Sequence, residues 1–319
     1  MDKRLVYKIK NELNEVKITG PNESFVKVME ECFGYSIIVS KCEVYVPSDI
    51  SGSEVEVLMN ALEYLFNKNI HLSQIDIVNI IKSIKNNDIN DLLDIYTKKE
   101  TIVTLSDGRT VYPKTITQMH YIEALKNEDV VFGIGPAGTG KTYLAVMYAS
   151  NLLKTKKIKK IVLVRPAVEA GEKLGFLPGD LKEKVDPYLI PLYDCLELCF
   201  GKDTLDKLME KGIIEVAPLA YMRGRTLDNA VIILDEAQNT TLTQMKMFLT
   251  RLGFNSKMII IGDVTQIDLF NKNDSGLMDA NKILKGIKGI KFIYFEKTDV
   301  MRNPLVYKII DKYEEYHGN

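Results

Sequence analysis

The chain has 319 residues, 46% hydrophobic and 27% charged, with a formal net charge of −1. That suits a soluble globular protein of one large or two smaller domains with ample core, and the balanced charge leaves any nucleic-acid surface local rather than global. With only three histidines, a histidine-based hydrolase or zinc centre is excluded as a first reading. The opening MDKRLVYKIKNELNEV alternates charged and apolar residues and lacks the apolar run of a signal peptide. No stretch approaches the ~18 apolar residues of a membrane span, so a cytoplasmic protein without membrane contact is expected. Cys195 and Cys199 share a helix face, but no His or Cys nearby completes a metal site. With Cys32 and Cys42 they read as reduced thiols.

Residues 15–67 read strand, helix, strand, strand, helix. Val16-Lys17-Ile18 alternates and stops at Gly20-Pro21-Asn22. Phe25, Val26, Val28 and Met29 suit a short helix. Residues 35–39 and 43–46 are two β-rich runs joined tightly at Ser40-Lys41, with Pro47 ending the second. Residues 51–66 have helical periodicity, and Ser73 caps a helix over 74–85. A break at 86–88 and a further short helix lead to a domain boundary near 97.

Residues 101–112 form a hairpin turned at Asp107-Gly108. Six strand candidates come after it at 130–133, 161–165, 213–217, 231–234, 258–262 and 290–295, with helical stretches between them. Such alternation means a parallel sheet with helices on both faces.

The first strand runs into Gly135-Pro136-Ala137-Gly138-Thr139-Gly140-Lys141-Thr142, which fits G-x-x-x-x-G-K-[ST] at every fixed position, and Tyr143 continues it into a helix. The glycines let backbone N–H groups curl around a phosphate. Lys141 supplies charge to the β/γ-phosphates, the Thr142 hydroxyl ligates Mg²⁺, and the helix dipole favours the same anion. The apolar run 230–234 ends in Asp235-Glu236-Ala237-Gln238. A carboxylate there is where the Mg²⁺ ligand belongs, so Asp235 is the candidate ligand and Glu236 the candidate base for an attacking water. The run 258–261 ends in Gly262-Asp263-Val264-Thr265-Gln266, placing Gln266 to touch a γ-phosphate or that water, or to be a satisfied turn amide.

Gln118, just upstream of the loop strand, can pair with the amino group and N7 of adenine, since its amide both donates and accepts. Arg251 and Arg302 are candidates for stabilising phosphoryl charge. The Gly- and Pro-rich run RPAVEAGEKLGFLPG, 165–179, comes after a strand end, where ligands of such sheets bind, and reads as a loop contacting a partner or polymer. The lysine-rich run 154–160 reads either as an RNA patch or as a solvated helix end.

Together PKT with Gln118, GPAGTGKT, RPAVEAGEKLGFLPG, LDEAQNTT, GDVTQIDL and DVMRNPLV resemble the PhoH family, closely from Thr101 onward and more loosely over 15–67. The resemblance implies a RecA-like P-loop NTPase core over 98–319, similar to the first motor lobe of superfamily 1 helicases. A small KH-like α+β domain precedes it over 1–97. It implies ATP at Lys141 and Thr142, Mg²⁺ at Asp235, catalysis by Glu236 and adenine reading by Gln118. It also implies a role in RNA metabolism beside the endoribonuclease that matures ribosomal RNA. One departure stands out: a KH loop carries G-x-x-G, whereas Gly20-Pro21-Asn22-Glu23 ends in an acid, unfavourable beside a phosphate clamp.

Two functions compete on these residues. One is an ATP hydrolase that remodels or unwinds RNA. The chain has one phosphate loop and one lobe's worth of sequence, so a homo-oligomeric ring is expected, with Arg302 or Arg251 reaching the neighbour's site. The other is a nucleotide-gated adaptor that docks an endoribonuclease or a ribosomal particle. A small-molecule kinase is disfavoured, because the Asp-Glu pair fits water activation.

Overall fold

A computed structural model of the chain describes residues 2–98, 100–166, 181–271 and 274–301, with 306, 309, 312, 313 and 316; over 181–189 only the backbone is described. By contacts the chain forms two compact units: Met1–Lys99 with Lys114–Ile116 and Met301–Asn319, and Glu100–Pro113 with Thr117–Val300. Among the described residues no helix is long and apolar enough to cross a membrane.

The first unit runs β1 (Lys3–Lys8), α1 (Leu13–Thr19), a 3-10 turn Pro21–Glu23, α2 (Ser24–Phe33), β2 (Ile38–Ser40), β3 (Glu43–Pro47), α3 (Ser53–Asn67), α4 (Gln74–Asn86) and α5 (Ile89–Lys98). Its sheet is antiparallel in the order β1-β3-β2. Val44 and Val46 are buried while Glu43, Tyr45 and Pro47 between and beside them are only half-buried, the alternation of a sheet with one covered face. Ser73 does cap α4: its N–H and its hydroxyl both donate to Asp76 Oδ2, at 2.8 and 2.7 Å.

The expected strand at 16–18 is the C-terminal half of helix α1, and the first strand lies earlier, at 3–8. Val16 and Ile18 would share a face in a strand, yet Val16 is 77% exposed and Ile18 fully buried. The buried pair is Asn14 and Ile18, four apart, which is helical spacing. A three-residue alternation is too short to distinguish the two periods.

In the second unit β4 (Val103–Thr104) and β5 (Thr110–Val111) form the hairpin at Asp107-Gly108. Then come α6 (Ile116–Asn127), β6 (Val130–Ile134), α7 (Lys141–Lys154), β7 (Lys160–Arg165), α8 (Leu181–Phe200), α9 (Lys202–Glu210), β8 (Ile214–Pro218), β9 (Ala230–Leu234), α10 (Leu242–Leu249), β10 (Lys257–Gly262), α11 (Gly276–Ile283) and β11 (Ile290–Tyr294). The six strands β6 to β11 form one parallel sheet in the order β11-β6-β10-β9-β7-β8.

Central strands β6 and β9 are buried at every position, which is why they read as unbroken apolar runs. Odd and even residues feed opposite cores. Val131, Val231 and Ile259 pack with Tyr121, Leu125, Ala145, Ala149 and Leu196 from α6, α7 and α8. Phe132, Ile232 and Ile260 pack with Met245, Phe248, Leu277 and Ala280 from α10 and α11. The protein is therefore α/β, with helices on both faces of the parallel sheet. The order has one consequence for chemistry: β10 lies between β6, which feeds the phosphate loop, and β9, which ends in the carboxylates. The segment leaving β10 must project between them.

Candidate functional site at the carboxyl end of the parallel sheet

A cavity of about 260 Å³ opens at the carboxyl ends of these strands. The loop contributes Ala137, Gly138, Gly140, Lys141, Thr142 and Tyr143 to its wall; β9 contributes Asp235 and Glu236, and β10 contributes Ile261, Gly262, Asp263 and Gln266. Ligands of parallel α/β sheets bind in such a crevice.

The loop's shape comes from its glycines. Gly140, at φ 83°, begins α7, and a Cβ there would lie 3.0 Å from Gln118 Nε2. At Gly135 a Cβ would lie 2.2 Å from the Phe295 carbonyl, so a side chain is sterically excluded. Pro136 and Thr139 are not in the cavity wall. Lys141 Nζ donates to the carbonyls of Gly135 and Pro136 at 2.7 and 2.6 Å and to Thr139 Oγ1 at 3.2 Å. Burial pushes the Lys141 ammonium below its ordinary value, against the pull of Asp263, Asp235 and Glu236.

Thr142 Oγ1 donates to Asp235 Oδ1 at 2.9 Å. This hydroxyl and carboxylate, converging on the cavity, are the hard oxygen donors that Mg²⁺ takes with water and phosphate oxygens completing the shell. Among the described residues no cluster of three or more His, Cys, Asp or Glu could hold a metal, so an ion here would depend on such outside oxygens. Burial pushes the Asp235 carboxyl above its ordinary value, with Arg165 pulling the other way.

Glu236 stands in the left-handed region, φ 54°, which turns its side chain away from the strand path. Arg165 Nη2 reaches its Oε1 at 2.8 Å and Gln238 Nε2 reaches its Oε2 at 2.6 Å. Gln238 is fully buried; it also donates to the Gln266 carbonyl at 3.1 Å and accepts from the Asp263 N–H at 3.0 Å. Asp263 Oδ1 accepts from the N–H and hydroxyl of Thr265, while Oδ2 is buried without a hydrogen-bond partner.

The structure thus brings Lys141, Thr142, Asp235, Glu236 and Gln266 together. Gln118 lies beneath the loop, 2% exposed, its amide donating to the Thr139 carbonyl at 3.0 Å, so here it supports the loop from behind. Arg251 is not brought into the cavity. Its guanidinium donates to the carbonyls of Met247 and Arg225 and to Thr250 Oγ1, closing the end of α10. Arg302 and the run 167–179 lie outside the described residues. Within the lysine-rich run, Lys154 donates to the Thr104 carbonyl and Lys160 pairs with Glu215, both structural ties. All four cysteines are free thiols, and burial pushes Cys195 up to about 11.

Arg165, Gln238 and Asp263 were not singled out from sequence. Asp263 carried the same signal as Asp235, a carboxylate just past an apolar strand. Arg165 and Gln238 stand in runs that the sequence does flag, 165–179 and 235–238, but nothing marks them out within those runs. Arg165 meets the carboxylates only through β7 lying beside β9, and Gln238 meets Gln266 and Asp263 across a gap in sequence.

The PhoH family, described as PhoH-like protein, matches residues 110–314. A PhoH-like protein of Bacillus subtilis (strain 168) is 53% identical over 309 residues, 97% of this chain and 96% of its own length. A PhoH-like protein of Mycobacterium leprae (strain TN) is 58% identical over 214 residues, 67% of this chain and 61% of its own. Protein PhoH of Escherichia coli (strain K12) is 42% identical over 219 residues, 67% of this chain and 62% of its own. A Sulfolobus solfataricus SWI2/SNF2 ATPase core solved with dsDNA matches 56% of this chain and 42% of its own at a TM-score of 0.30 and 16% identity, too distant to carry an argument.

Proposed function

The chain belongs to the PhoH family and has the fold of a nucleotide-binding P-loop ATPase, and from that premise we propose that it hydrolyses ATP with Mg²⁺ and acts on RNA as a homo-oligomeric ring. The observation that carries hydrolysis is the convergence of Thr142, Asp235 and Glu236 on one cavity beside the loop.

The loop N–H groups and Lys141 bind the β/γ-phosphates. Lys141 is already desolvated, so its charge acts through a weakly screening medium. Thr142 and Asp235 are the residues that would hold Mg²⁺, and the ion would supply charge neutralisation at the phosphates. Glu236, one residue beyond the metal ligand and turned by its left-handed backbone, accepts the proton of the attacking water. Gln266, in the segment that leaves β10 between loop and carboxylates, orients that water or the γ-phosphate. The Glu236→Gln protein should keep its ATP affinity while turnover falls by roughly 10²-fold or more, because only the proton acceptor is lost. Turnover at the wild-type rate would remove Glu236 from the reaction.

RNA as partner is supported by the first unit. Its elements up to α3, in the order β-α-α-β-β-α with sheet order β1-β3-β2, agree with the KH-type module the resemblance implies. Glu23 ends the would-be clamp at φ 58°, a backbone region that glycine favours. Glu23→Gly should therefore tighten RNA binding by removing an acid beside the phosphates. Filter retention of labelled RNA reads this; no retention by either protein removes RNA from the proposal. Light scattering with and without ATP tests the ring, and a monomer in both conditions ends it.

A further inference from the structure

Arg165 ends β7, the strand beside β9, and the Asp235 N–H donates to the Val164 carbonyl at 2.9 Å. The backbone thus delivers the Arg165 side chain to the carboxylate pair. That side chain is 16% exposed, and its Nη2 lies 2.8 Å from Glu236 Oε1 and 3.4 Å from Asp235 Oδ2. The other Glu236 oxygen accepts from Gln238, which is immobilised by its own bonds to Gln266 and Asp263. Both oxygens of the proton acceptor are therefore engaged, one of them by a charge. A charge-assisted hydrogen bond is roughly twice as strong as a neutral one, so it fixes the direction of Oε1, and the Glu236 side chain, 39% exposed, is free to turn onto a water only when that bond opens.

We propose that Arg165 is a positioning residue that tethers Glu236, so that the carboxylate meets the attacking water only when the guanidinium releases Oε1. The inference rests on the reading of Glu236 as the proton acceptor. The same guanidinium sets a positive charge beside Asp235, where it opposes a second cation. A purely structural arginine would behave differently: its loss would loosen the site, weaken metal binding and slow turnover together. Loss of a tether speeds turnover and strengthens metal binding. The two roles have opposite signs.

The test uses Arg165→Ala and Arg165→Lys in the full chain, with two readouts. One is steady-state ATP hydrolysis. The other is the Mg²⁺ concentration that half-saturates binding of a fluorescent ATP analogue. Arg165→Ala should raise kcat roughly three- to tenfold with KM for ATP kept within about twofold, since the tether touches the base and not the phosphate loop. The half-saturating Mg²⁺ concentration should fall about threefold or more, because one competing charge has left a poorly screened site. Arg165→Lys should lie between, as an ammonium is a single point charge without the guanidinium fork. A fall in kcat, or no change in kcat, overturns the tether. If Arg165→Ala gives no cooperative melt, Arg165→Lys decides by the same signs. If the wild-type protein turns over no ATP, the hydrolysis reading has failed; the Mg²⁺ shift then decides, and an unchanged or raised requirement overturns the tether.

Discussion

Two buried aspartates, one in each unit, are about equally hidden from water and are treated in opposite ways. Asp76 is 1% exposed and accepts four donors: Ser73 N–H and hydroxyl on Oδ2, Tyr96 hydroxyl and Lys114 ammonium on Oδ1, the last two at 2.6 Å. Burial pushes its carboxyl up, but Lys114 and these hydrogen bonds bring it below the ordinary value. Asp235 is 6% exposed and has the Thr142 hydroxyl at 2.9 Å and the Arg165 guanidinium at 3.4 Å. There burial wins and the carboxyl is pushed up. A carboxylate supplied with donors holds a fold together. One left short of them in a cavity suits a cation from outside. Asp263 shares with it one oxygen short of donors, since its Oδ2 is buried without a partner.

The same substitution at both sites sharpens the contrast. Asp235→Asn should lower ATP turnover by about 10²- to 10³-fold, as a metal-binding charge is lost, while stability is unchanged or slightly higher because a desolvated charge has gone. Asp76→Asn should do the reverse. It removes the charge that Lys114 faces and weakens the start of α4, destabilising the protein by about 3 kcal/mol. Turnover measured well below the melting temperature should stay near wild type. Thermal melts and ATPase assays on the two proteins check both signs. If Asp76→Asn slows turnover as strongly as Asp235→Asn, the separation of roles is wrong.

The parallel sheet was legible in the sequence because its central strands are buried on both faces. Runs such as 230–234 and 258–261 have no polar positions to confuse the period, and each of the six expected strands lies within a residue or so of its place. The first unit was harder: β1 is a half-exposed strand with a register irregularity between Leu5 and Tyr7, so its alternation is weak, and α1 is only seven residues long. In the site, the residues proposed to hold phosphate and metal stand in contiguous motifs and could be read. Arg165 and Gln238 could not, because their roles depend on β7 lying beside β9 and on β10 passing between the loop and the carboxylates. Gln118 shows a third case. Its amide chemistry suits adenine, yet no sequence pattern foretells that the Thr139 carbonyl would take its N–H.

A further carboxylate, Glu215 on the terminal strand β8, gives a milder version of the Asp76 arrangement. Arg225 holds it with two parallel bonds, Nη1 to Oε1 at 2.6 Å and Nη2 to Oε2 at 2.8 Å, and Lys160 reaches Oε2 at 2.7 Å. The side chain is 27% exposed, so solvent screens part of the attraction. The Arg225 hydrogen bonds, opposed by burial and helped by Lys160, lower its carboxyl from 4.5 to about 2. A carboxyl lower in the folded state stabilises the fold above its ordinary value, and that contribution is lost as pH falls through the folded value. Glu215→Gln should therefore destabilise the protein at pH 7 by about 2 kcal/mol after discounting for screening. The deficit should hold down to about pH 4.5 and shrink from there toward pH 2, because the wild-type protein then loses the same charge. Urea unfolding of both proteins at about pH 7 and about pH 3.5 reads it. A deficit that is equal at the two pH values would mean that Glu215 acts through packing or neutral hydrogen bonds, and the ion pair would lose its place in the comparison.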